Sequence, residues 1–430
     1  MARFVPPLRA PASKSATHRA LVLAALASGR SHLRGPLVAE DTEATWRGLG
    51  ALGVAVERSE DGWVVQRTGG RLEGGALLDA AASGTTLRFL TALAALGVRP
   101  SRLRGVPRLR ERPIESLLEA LRALGGHAVR LRAGPGEPFL EAGGKPFRGG
   151  EVAVDASASS QFASALLTIG PCLDGGIELV LRGDAVSLPY LGLTSQMLRR
   201  FGAPVQEDPP RFRVPPTGLR AVDLEIEGDW SSGAYLLTAA VLAGAVVTVE
   251  GLHSDSRQAD RAIVPLLRDC GARVQVEDRR TTAEGRGSLS GFEVDLRHAP
   301  DLAPTAAVLA LCSEEGSVLR GVAQLRGKES DRLQAVADAL TLLGRSVRHA
   351  PDLLIVEPAA KPLRPAKVRT HGDHRIAMAF ALADLRLPGV EVDDPACVAK
   401  SYPAFWRDLA VIRTGTRAPP TSRRDRCPSW

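Results

Sequence analysis

The sequence predicts an α/β protein built from six similar modules, arranged as two domains of three modules each. The first observation is length, because 430 residues is about three times the size of a typical domain. The second is a repeat, in which polar residues followed by an apolar helical run recur at intervals of 70 to 75 residues. The third is a second marker, a glycine that ends an amphipathic segment, which recurs at intervals of 69 to 77 residues. Two patterns that recur at nearly the same interval indicate an internal structural repeat.

Each module is predicted to contain a helix, a strand, a second helix and short paired strands. The polar helix starts begin at Ser13, Ser83, Ala158, Asp229, Asp301 and Asp373. Some of the helices that follow are apolar almost all round, as in residues 234–242, which indicates burial on most sides. The second helices end at Gly53, Gly125, Gly202, Gly271 and Gly344. Val- and Leu-rich segments such as residues 54–58 and 63–66 then predict short strands.

The repeat also predicts the domain boundaries. We expect residues 13–227 to form one domain and residues 1–12 with 228–412 to form the second, with the polar helix starts gathered at one end of each. The chain then crosses between the domains near residues 12 and 228. The sixth module is short, and the strand-like segment at residues 4–8 is expected to complete it. Residues 413–430 have loop composition and are expected to be disordered.

Composition excludes several classes of protein. The formal net charge is +7, but the basic residues are spread along the chain without clustered aromatic residues or a nucleic-acid-binding motif, which disfavours nucleic acid as a partner. Residues 233–249 are apolar enough to be considered as a membrane span, yet Thr238, Gly244 and Thr248 favour a helix followed by a strand. Five scattered cysteines and the lack of a secretion signal predict a reducing, cytoplasmic location.

The first helix start, residues 11–19, has the composition of an anion site. The first turn of a helix leaves backbone N–H groups unpaired and carries partial positive charge, which Lys14, Arg19 and the hydroxyl of Ser15 would reinforce. A simple N-cap by Ser13 is the alternative interpretation. Lys14 is one of only six Lys among 55 basic residues, and a compact, titratable ammonium is a reason to use Lys in so Arg-rich a chain.

The other starts in the first half also suit anions or polyols. Gly84 removes a side chain at a helix start, so a ligand can approach the backbone, although helix packing explains such a glycine equally well. Pro113 is expected at a first helical position and would hold Arg112 at the helix entrance, with a solvated basic face as the alternative. Residues 157–161 offer three serines and Gln161, uncharged donors that suit a phosphate or a polyol and exceed what a cap needs.

The second half adds carboxyl groups to the cations. Asp301 is either an N-cap or a general base. Glu329 is an acid that lies between phosphate-binding cations in residues 326–332. Over the whole chain the helix starts present seven cations: Lys14, Arg19, Arg112, Lys328, Arg332, Arg375 and Lys400. Seven cations in one cleft imply at least two bound anionic groups, shared between domains that close around them.

Together these motifs resemble the 5-enolpyruvylshikimate-3-phosphate synthase (3-phosphoshikimate 1-carboxyvinyltransferase) family of enolpyruvyl transferases. The likeness covers residues 13–15, 83–85, 108–114, 159–161, 327–332, 372–375 and 399–403 in order. It implies two similar domains, each of three βαβαββ repeats, in an inside-out, barrel-like α/β fold. It also implies transfer of the enolpyruvyl group of phosphoenolpyruvate to the 5-hydroxyl of shikimate 3-phosphate, with release of phosphate and without a metal or other cofactor. We expect a cytoplasmic monomer that is inhibited by glyphosate.

The resemblance further implies the role of each site residue. Those that would hold shikimate 3-phosphate are Lys14, Ser15, Arg19, Ser159, Ser160, Gln161, Ser187, Asp301, Gln324 and Lys328. Those that would hold phosphoenolpyruvate are Lys14, Gly84, Arg112, Gln161, Arg332, Arg375 and Lys400. Asp301 would take the hydroxyl proton, Glu329 would protonate the enol methylene, and Lys14 would assist proton transfer at the leaving phosphate.

The chain departs from the family pattern at a few positions. Ala82 stands where the family usually has Asn, Leu188 replaces a commonly basic residue, and Gln324 stands where Asn is frequent. None of these changes removes a catalytic group. Gly84 matches the form of the loop associated with glyphosate sensitivity, although Phe89 nearby is atypical.

Two alternatives stay open at this point. The UDP-N-acetylglucosamine enolpyruvyl transferases share the fold, but that family uses a Cys acid after its Arg-rich segment and this chain has no Cys before residue 172. A non-catalytic protein that binds phosphorylated metabolites or nucleic acid would use the same cations, but would have no use for Asp301 and Glu329.

Overall fold

The computed structural model describes residues 3–67 and 71–415. In this part of the chain the α-helices are α1 (Lys14–Leu26), α2 (Glu40–Ala51), α3 (Gly84–Ala95), α4 (Pro107–Glu111), α5 (Glu115–Ala123), α6 (Gln161–Ile169), α7 (Pro189–Arg200), α8 (Trp230–Leu242), α9 (Ile263–Asp269), α10 (Ala303–Cys312), α11 (Arg332–Leu342), α12 (His374–Ala383) and α13 (Phe405–Thr414). None of these helices is long and apolar enough to cross a membrane.

The strands are short. They are β1 (Arg3–Phe4), β2 (Leu8–Arg9), β3 (Gly29–Arg34), β4 (Ala55–Arg58), β5 (Gly62–Arg67), β6 (Leu77–Asp79), β7 (Ser101–Arg104), β8 (Ala128–Arg130), β9 (Leu140–Ala142), β10 (Gly150–Asp155), β11 (Ile177–Arg182), β12 (Gln206–Asp208), β13 (Arg211–Val214), β14 (Asp223–Glu225), β15 (Ala245–Glu250), β16 (Arg273–Glu277), β17 (Arg280–Glu284), β18 (Glu293–Asp295), β19 (Ser317–Arg320), β20 (Val347–Ala350), β21 (Leu353–Val356), β22 (Lys367–Val368) and β23 (Glu391–Val392).

The strands form six small sheets that repeat one pattern, which confirms the predicted α/β modules. In β10-β11-β13-β12 the first pair is parallel and the remaining pairs are antiparallel. The same order recurs in β6-β7-β9-β8 and β18-β19-β21-β20. A parallel pair needs a crossover, which α6 supplies between β10 and β11, while the antiparallel hairpin needs only a turn. The module is therefore βαβαββ, and the sixth is reduced to the parallel pair β22-β23.

Two modules take their first strand from a distant part of the chain. Strand β14 pairs with β3, so residues 223–225 complete the first module. Strands β1 and β2 both pair with β15, with Arg3 opposite Ala245 and Leu8 opposite Val249. The expectation that residues 4–8 complete the sixth module is therefore wrong, because they complete the fourth. The fourth module begins with α8 directly after a crossing, so its first strand has to come from elsewhere.

The two crossing segments lie side by side. Ser13 N donates to Glu227 O at 2.8 Å, and Asp229 N donates to Pro11 O at 2.8 Å. Gly228 lies between them, and a Cβ at this position would be 2.5 Å from the carbonyl oxygen of Gly251. Only glycine fits this close approach of two backbones.

The buried apolar side chains form two hydrophobic clusters. One contains residues between Ala16 and Ile226, and the other contains Val5, Leu8 and Ala10 together with residues between Trp230 and Ile412. Helix α13 continues to Thr414 and is closed by Gly415 in a left-handed conformation, so the expectation of a disordered tail from residue 413 begins too early. Residues 416–430 lie outside the described part of the chain.

Candidate active site

Helix starts from both halves of the chain face one another across a small cavity of about 60 Å³. Its lining residues are Lys14, Ser15, Arg19, Asp41, Gly84, Thr85, Arg112, Ser159, Ser160, Gln161, Ser187, Tyr190, Pro300, Asp301, Lys328, Glu329 and Arg375. The predicted site residues are brought together in this lining, with the exception of Gln324, Arg332 and Lys400. The cavity is lined mainly by cations, hydroxyls and three acidic side chains, Asp41 from the first half and Asp301 and Glu329 from the second. The excess of cations is the chemistry of a site for anionic ligands.

Lys14 lies at the point where the two halves of the chain meet. Its ammonium Nζ lies 3.0 Å from Asp41 Oδ2, and its backbone N donates to Asp229 Oδ2 at 3.0 Å. The other carboxylate oxygen of Asp229 accepts from Ser232 N at 2.7 Å and so caps α8. Burial by itself raises the pKa of Asp41, but Lys14 and Lys400 outweigh it and hold that pKa below its usual value. Asp41 therefore stays ionised beside Lys14.

Arg19 is buried five residues after Lys14 in α1, and four of the five N–H groups of its guanidinium donate to residues of the first half. It donates to Thr194 Oγ1 at 2.8 Å, to Ser164 Oγ at 3.1 Å and to the carbonyl oxygens of Ser15 and Tyr190. Burial lowers its pKa to about 10. Arg19 is thus a rigidly held cation at the floor of the cavity.

The uncharged donors lie on the neighbouring helix start. Ser159 Oγ accepts from Gln161 N at 3.2 Å, at the first turn of α6. The Gln161 amide is anchored at both atoms, because its Oε1 accepts from buried Arg88 at 3.0 Å and its Nε2 donates to Thr85 Oγ1 at 3.2 Å. Ser187 has a φ of +57°, a left-handed conformation that is strained for a residue other than glycine.

Asp301 is held by two arginines. Its Oδ1 accepts from Arg332 at 2.9 Å, and its Oδ2 lies 2.7 Å from Nη2 of Arg375. Burial raises the pKa of Asp301, but Arg375 and Lys328 outweigh it and hold the pKa below its usual range. Helix α10 begins at Ala303, after a 3₁₀ turn over Pro300–Leu302. Asp301 is therefore an ionised carboxylate aimed at cations, which excludes the simple N-cap interpretation.

Glu329 is surrounded by three cations. Its Oε2 accepts from Arg332 at 2.7 Å, and its Oε1 lies 3.5 Å from Arg112 and 3.6 Å from Lys400. Although burial raises the pKa of Glu329, these cations hold it well below its usual range. In this structure the carboxylate of Glu329 is the anion that these cations, which come from both halves of the chain, surround.

Arg332 joins the two carboxylates. Its side chain is almost fully buried and also donates to Asp373 Oδ2 at 3.0 Å. Because three carboxylates share one guanidinium, the pKa of Arg332 is raised in spite of its burial. Arg332 and Asp373 therefore form the rigid support beneath the second half of the site.

Three predicted site residues lie outside the cavity lining. Arg332 lies behind Asp301 and Glu329. Lys400 donates to the carbonyl oxygen of Ala82 at 3.0 Å, a contact between the two halves. Gln324 is turned away, because its amide donates to the carbonyl oxygens of Arg297 and Gly321.

One local prediction from the sequence is wrong. Helix α4 ends at Glu111 and α5 begins at Glu115, so Arg112 and Pro113 lie in the link between two helices and Pro113 is not a first helical residue. Arg112 is nevertheless buried beside Glu329, because the carbonyl oxygen of Pro113 accepts from Arg88 at 2.6 Å and holds the link in place.

Sequence reasoning assigned no ligand to four lining residues, Asp41, Thr85, Tyr190 and Pro300. It also gave no role to Arg88, which supports the site by donating to Gln161 Oε1 and to the carbonyl oxygen of Pro113. Asp41 gives a weak signal, since an acidic residue in the first turn of a helix is favourable without any ligand. Arg88 lies in an apolar helix, where an isolated Arg gives no sign of its partners. Within residues 3–67 and 71–415, no group of three or more His, Cys, Asp or Glu side chains is arranged to hold a metal ion.

Comparison with known proteins gives consistent matches over nearly the whole chain. The profile of one family, EPSP synthase (3-phosphoshikimate 1-carboxyvinyltransferase), matches residues 3–409. The 3-phosphoshikimate 1-carboxyvinyltransferase of Methanosphaerula palustris is 42% identical over 407 residues, which is 94% of this chain and 95% of the relative. That of Halobacterium salinarum is 40% identical over 421 residues, 95% of this chain and 96% of the relative.

Solved structures give the same result. An EPSP synthase from Acinetobacter baumannii superposes with a TM-score of 0.79 at 27% identity, covering 95% of both chains. The enolpyruvyl transferase NikO from Streptomyces tendae superposes with a TM-score of 0.75 at 19% identity, covering 96% of this chain and 95% of its own, which shows a shared fold.

Proposed function

The chain belongs to the EPSP synthase family, and from this membership we propose how the residues of its cleft divide the family's reaction among themselves. The enzyme is a 3-phosphoshikimate 1-carboxyvinyltransferase of the shikimate pathway. It transfers the enolpyruvyl group of phosphoenolpyruvate to the 5-hydroxyl of shikimate 3-phosphate and releases phosphate. The chemistry is an addition followed by an elimination, and it needs one base, one acid and strong stabilisation of phosphate charge.

Shikimate 3-phosphate is assigned to the side of the cavity formed by α1, α6 and the start of α7. Ser15, Ser159, Ser160, Gln161 and Ser187 supply uncharged donors there, and Arg19, Lys14 and Lys328 supply charge. The rigid hydrogen bonds of Arg19 support this assignment, because a preorganised cation loses little entropy on binding a phosphate. Gln324 has a weaker claim, since its amide is already bonded to two backbone carbonyls.

Phosphoenolpyruvate is assigned to the cations around Glu329. Arg112 and Lys400 would leave the carboxylate of Glu329 for the phosphate and carboxylate of the substrate, with Arg332, Arg375, Lys14 and Gln161 around them. Gly84 keeps this side open, because a Cβ there would lie 2.6 Å from the guanidinium of Arg112 and 2.5 Å from that of Arg88. The same space is the basis for proposing glyphosate as an inhibitor.

Asp301 is proposed as the base and Glu329 as the acid. The arginines that hold the pKa of Asp301 down keep it ionised and ready to accept the proton of the 5-hydroxyl. Glu329 is ionised without substrate, but the charges of phosphoenolpyruvate neutralise Arg112 and Lys400 and place anions nearby. Both changes raise the pKa of Glu329, so that it holds the proton that the enol methylene receives. In the elimination, the methyl group of the adduct returns a proton to Glu329 as the C–O bond to phosphate breaks. Lys14, which lines the same cavity, is proposed to assist proton transfer to the leaving phosphate.

We also propose that the two halves are domains, residues 13–227 and residues 1–12 with 228–412, that separate to admit substrates. The cavity of about 60 Å³ supports this, because ligand pockets generally measure about 300 Å³ or more. The crossing segments at residues 11–13 and 227–229 would be the hinge. We propose in addition that the enzyme is cytoplasmic and monomeric.

The single observation that carries these assignments is that Asp301 and Glu329 share Arg332 at the edge of a cation-lined cleft formed by both halves. The test is release of phosphate from phosphoenolpyruvate with shikimate 3-phosphate and, separately, with UDP-N-acetylglucosamine. We expect release only with shikimate 3-phosphate, and Asp301→Ala is expected to lower turnover far more than substrate affinity. Release only with the nucleotide sugar, or with neither, would contradict the proposal.

A further inference from the structure

A ring of buried side chains connects three helix starts directly beneath the cavity. His18 lies one turn after Lys14 in α1, and its Nδ1 is 2.8 Å from Thr45 Oγ1 in α2. Thr45 Oγ1 is in turn 2.8 Å from Thr86 Oγ1 in α3. Thr86 donates to the carbonyl oxygen of Asp41 at 3.0 Å, and the carboxylate of Asp41 accepts from Lys14 at 3.0 Å, which closes the ring. His18, Thr45 and Thr86 are fully buried.

The donors in this ring have a fixed order. The single proton of the Thr86 hydroxyl is donated to the carbonyl oxygen of Asp41 at 3.0 Å or to Ser83 Oγ at 2.9 Å, and in either case it is not available to Thr45. Thr45 must then donate to Thr86, and the Nδ1–H of His18 must donate to Thr45. This leaves His18 Nε2 as an acceptor, and it has no partner among the described residues. His18 is therefore the first donor in the series His18, Thr45, Thr86, and it is in its Nδ1-protonated tautomer.

The imidazole of His18 is neutral. Burial is the main reason that its pKa is lowered to about 3; Asp41 acts against this shift, and Lys14 and Arg19 add to it. Those three residues are the charged groups that face it from α1 and α2. A group that does not titrate near neutral pH does not transfer protons in the reaction, so its contribution has to be geometric.

We propose that His18 is a positioning residue that sets the distance between Lys14 and the Gly84 turn. Lys14 and His18 lie on one helix, and the ring ties that helix to the first turn of α3, where Gly84 and Thr85 line the cavity. The ring thereby holds the two substrate sides of the cleft in register. The inference rests on the roles assigned above to Lys14 and Gly84, and it adds a residue that contacts neither substrate.

The test compares variants that keep or remove one donor. His18→Asn keeps an N–H near the position of Nδ1, whereas His18→Leu removes it; Thr86→Ser keeps the hydroxyl, whereas Thr86→Val removes it. We expect His18→Leu and Thr86→Val to lower kcat/KM for phosphoenolpyruvate by about 10- to 100-fold, since misplacing reacting groups by about 1 Å has effects of this size. His18→Asn and Thr86→Ser should stay close to the wild type.

The matched control is Thr91→Val, also in α3 and fully buried, where the hydroxyl donates to the carbonyl of Leu87 and takes no part in the ring. It should leave both kinetic constants unchanged. Equal losses in His18→Asn and His18→Leu, or a loss in Thr91→Val as large as that in Thr86→Val, would reduce the ring to core packing and overturn the proposal.

A second measurement does not depend on activity. In the full-length enzyme labelled with 15N-histidine, His18 should show the shifts of the neutral Nδ1–H tautomer and should not titrate between about pH 5 and pH 9. A titrating His18, or the Nε2–H tautomer, would overturn the proposal even if the kinetics agreed. If the wild-type enzyme released no phosphate while His18 showed this signature, the assigned roles of Lys14 and Gly84 would fail and the ring would stand.

Discussion

At the scale of single residues, Lys14 is notable because it contacts both halves of the chain. It donates from its backbone to Asp229 across the crossing and from its side chain to Asp41, and it faces the cavity. We expect Lys14→Arg to lower turnover by about 10²- to 10⁴-fold, because Arg keeps the charge but does not give up its proton near neutral pH. Steady-state phosphate release checks this, with unchanged thermal unfolding as the sign of an intact fold.

The control for Lys14 is Lys145→Arg, at an exposed position far along the chain. It should leave turnover unchanged. Activity of Lys14→Arg close to that of Lys145→Arg would remove Lys14 from the chemistry.

Lys328 gives a pH dependence whose sign can be worked out. Burial lowers its pKa to about 8, against the opposing effect of Asp301. The ammonium is therefore charged below about pH 8 and loses its charge above it, while a bound phosphate favours the charged form. We expect the affinity for shikimate 3-phosphate to fall as pH rises from about 8 to 10, with a proton taken up on binding. Calorimetry in buffers of different ionisation enthalpy measures that proton.

The matched variant is Lys328→Arg, in which the side chain stays charged over the same pH range. Its affinity should be flat between about pH 8 and pH 10. The same slope in the wild type and in Lys328→Arg would mean that another group titrates.

At the scale of elements, a polar residue at a helix start has one of two roles, capping the helix or contributing to the site, and the two look alike in the sequence. Ser13, Ser83 and Asp373 cap their helices by accepting from a backbone N–H two or three residues later. Asp301 occupies a similar position but makes ion pairs with Arg332 and Arg375. The repeat locates all of these starts, but it does not separate a capping carboxylate from a reacting one, because the difference lies in side chains from other modules.

The start of α3 provides a prediction at this scale. Gly84→Ala adds a methyl group 2.5 to 2.6 Å from the guanidinium groups of Arg88 and Arg112, so one or both must shift. We expect KM for phosphoenolpyruvate to rise by about 10-fold or more, since a misplaced binding group weakens binding and transition state together. The affinity for shikimate 3-phosphate should change little.

Gly50→Ala is the matched control, because Gly50 lies in α2 with open space around its Cβ position. It should leave KM unchanged and stabilise the protein by up to about 1 kcal/mol, the difference in helix propensity between Gly and Ala. Equal KM values for Gly84→Ala and Gly50→Ala would show that Arg112 moves aside without weakening the binding of phosphoenolpyruvate.

At the scale of the whole molecule, each half is completed by a strand that is distant in sequence from the strand it pairs with: β14 pairs with β3, and β1 and β2 pair with β15. Leu8 in β2 is buried in the cluster of the second half, and Leu224 in β14 is buried in the cluster of the first half. Leu8→Ala should therefore destabilise the half formed mainly by residues 230–412, and Leu224→Ala the half formed by residues 16–226. Each loss should be about 2–5 kcal/mol, typical of a buried Leu→Ala change.

Hydrogen exchange resolved along the chain checks this pair, and each variant is the control for the other. The protected amides of β15 should exchange faster in Leu8→Ala, and those of β3 in Leu224→Ala. Equal loss of protection throughout the chain in both variants would mean that the two halves unfold as one unit, against the proposed division into domains.

The α/β class, the six modules, the family and the set of cations could all be predicted from the sequence. Local patterns suffice for these features, because a helix start with Ser13, Lys14 and Ser15 has the same physical preference wherever it is placed. Two expectations that the structure contradicts concern segments whose position depends on residues that are distant in sequence. Hydrophobicity predicts a strand at residues 4–8 but not the strand it pairs with, so the sequence does not show that these residues complete the fourth module. Proline favours a helix start at Pro113, but the sequence does not show that Arg88 holds this residue in a link between two helices.

What the sequence by itself determined is therefore most of the inventory of the site: its cations, its serine hydroxyls and the carboxyl groups of Asp301 and Glu329, but not that of Asp41. Only the tertiary structure decided how they act on one another. It placed Glu329 from the second half against Arg112 from the first, tied His18 to Thr86, and turned Gln324 away. The physical reason is that ionisation and hydrogen-bond direction depend on contacts over a few ångströms between residues tens to hundreds of positions apart, and such contacts exist only after the chain has folded.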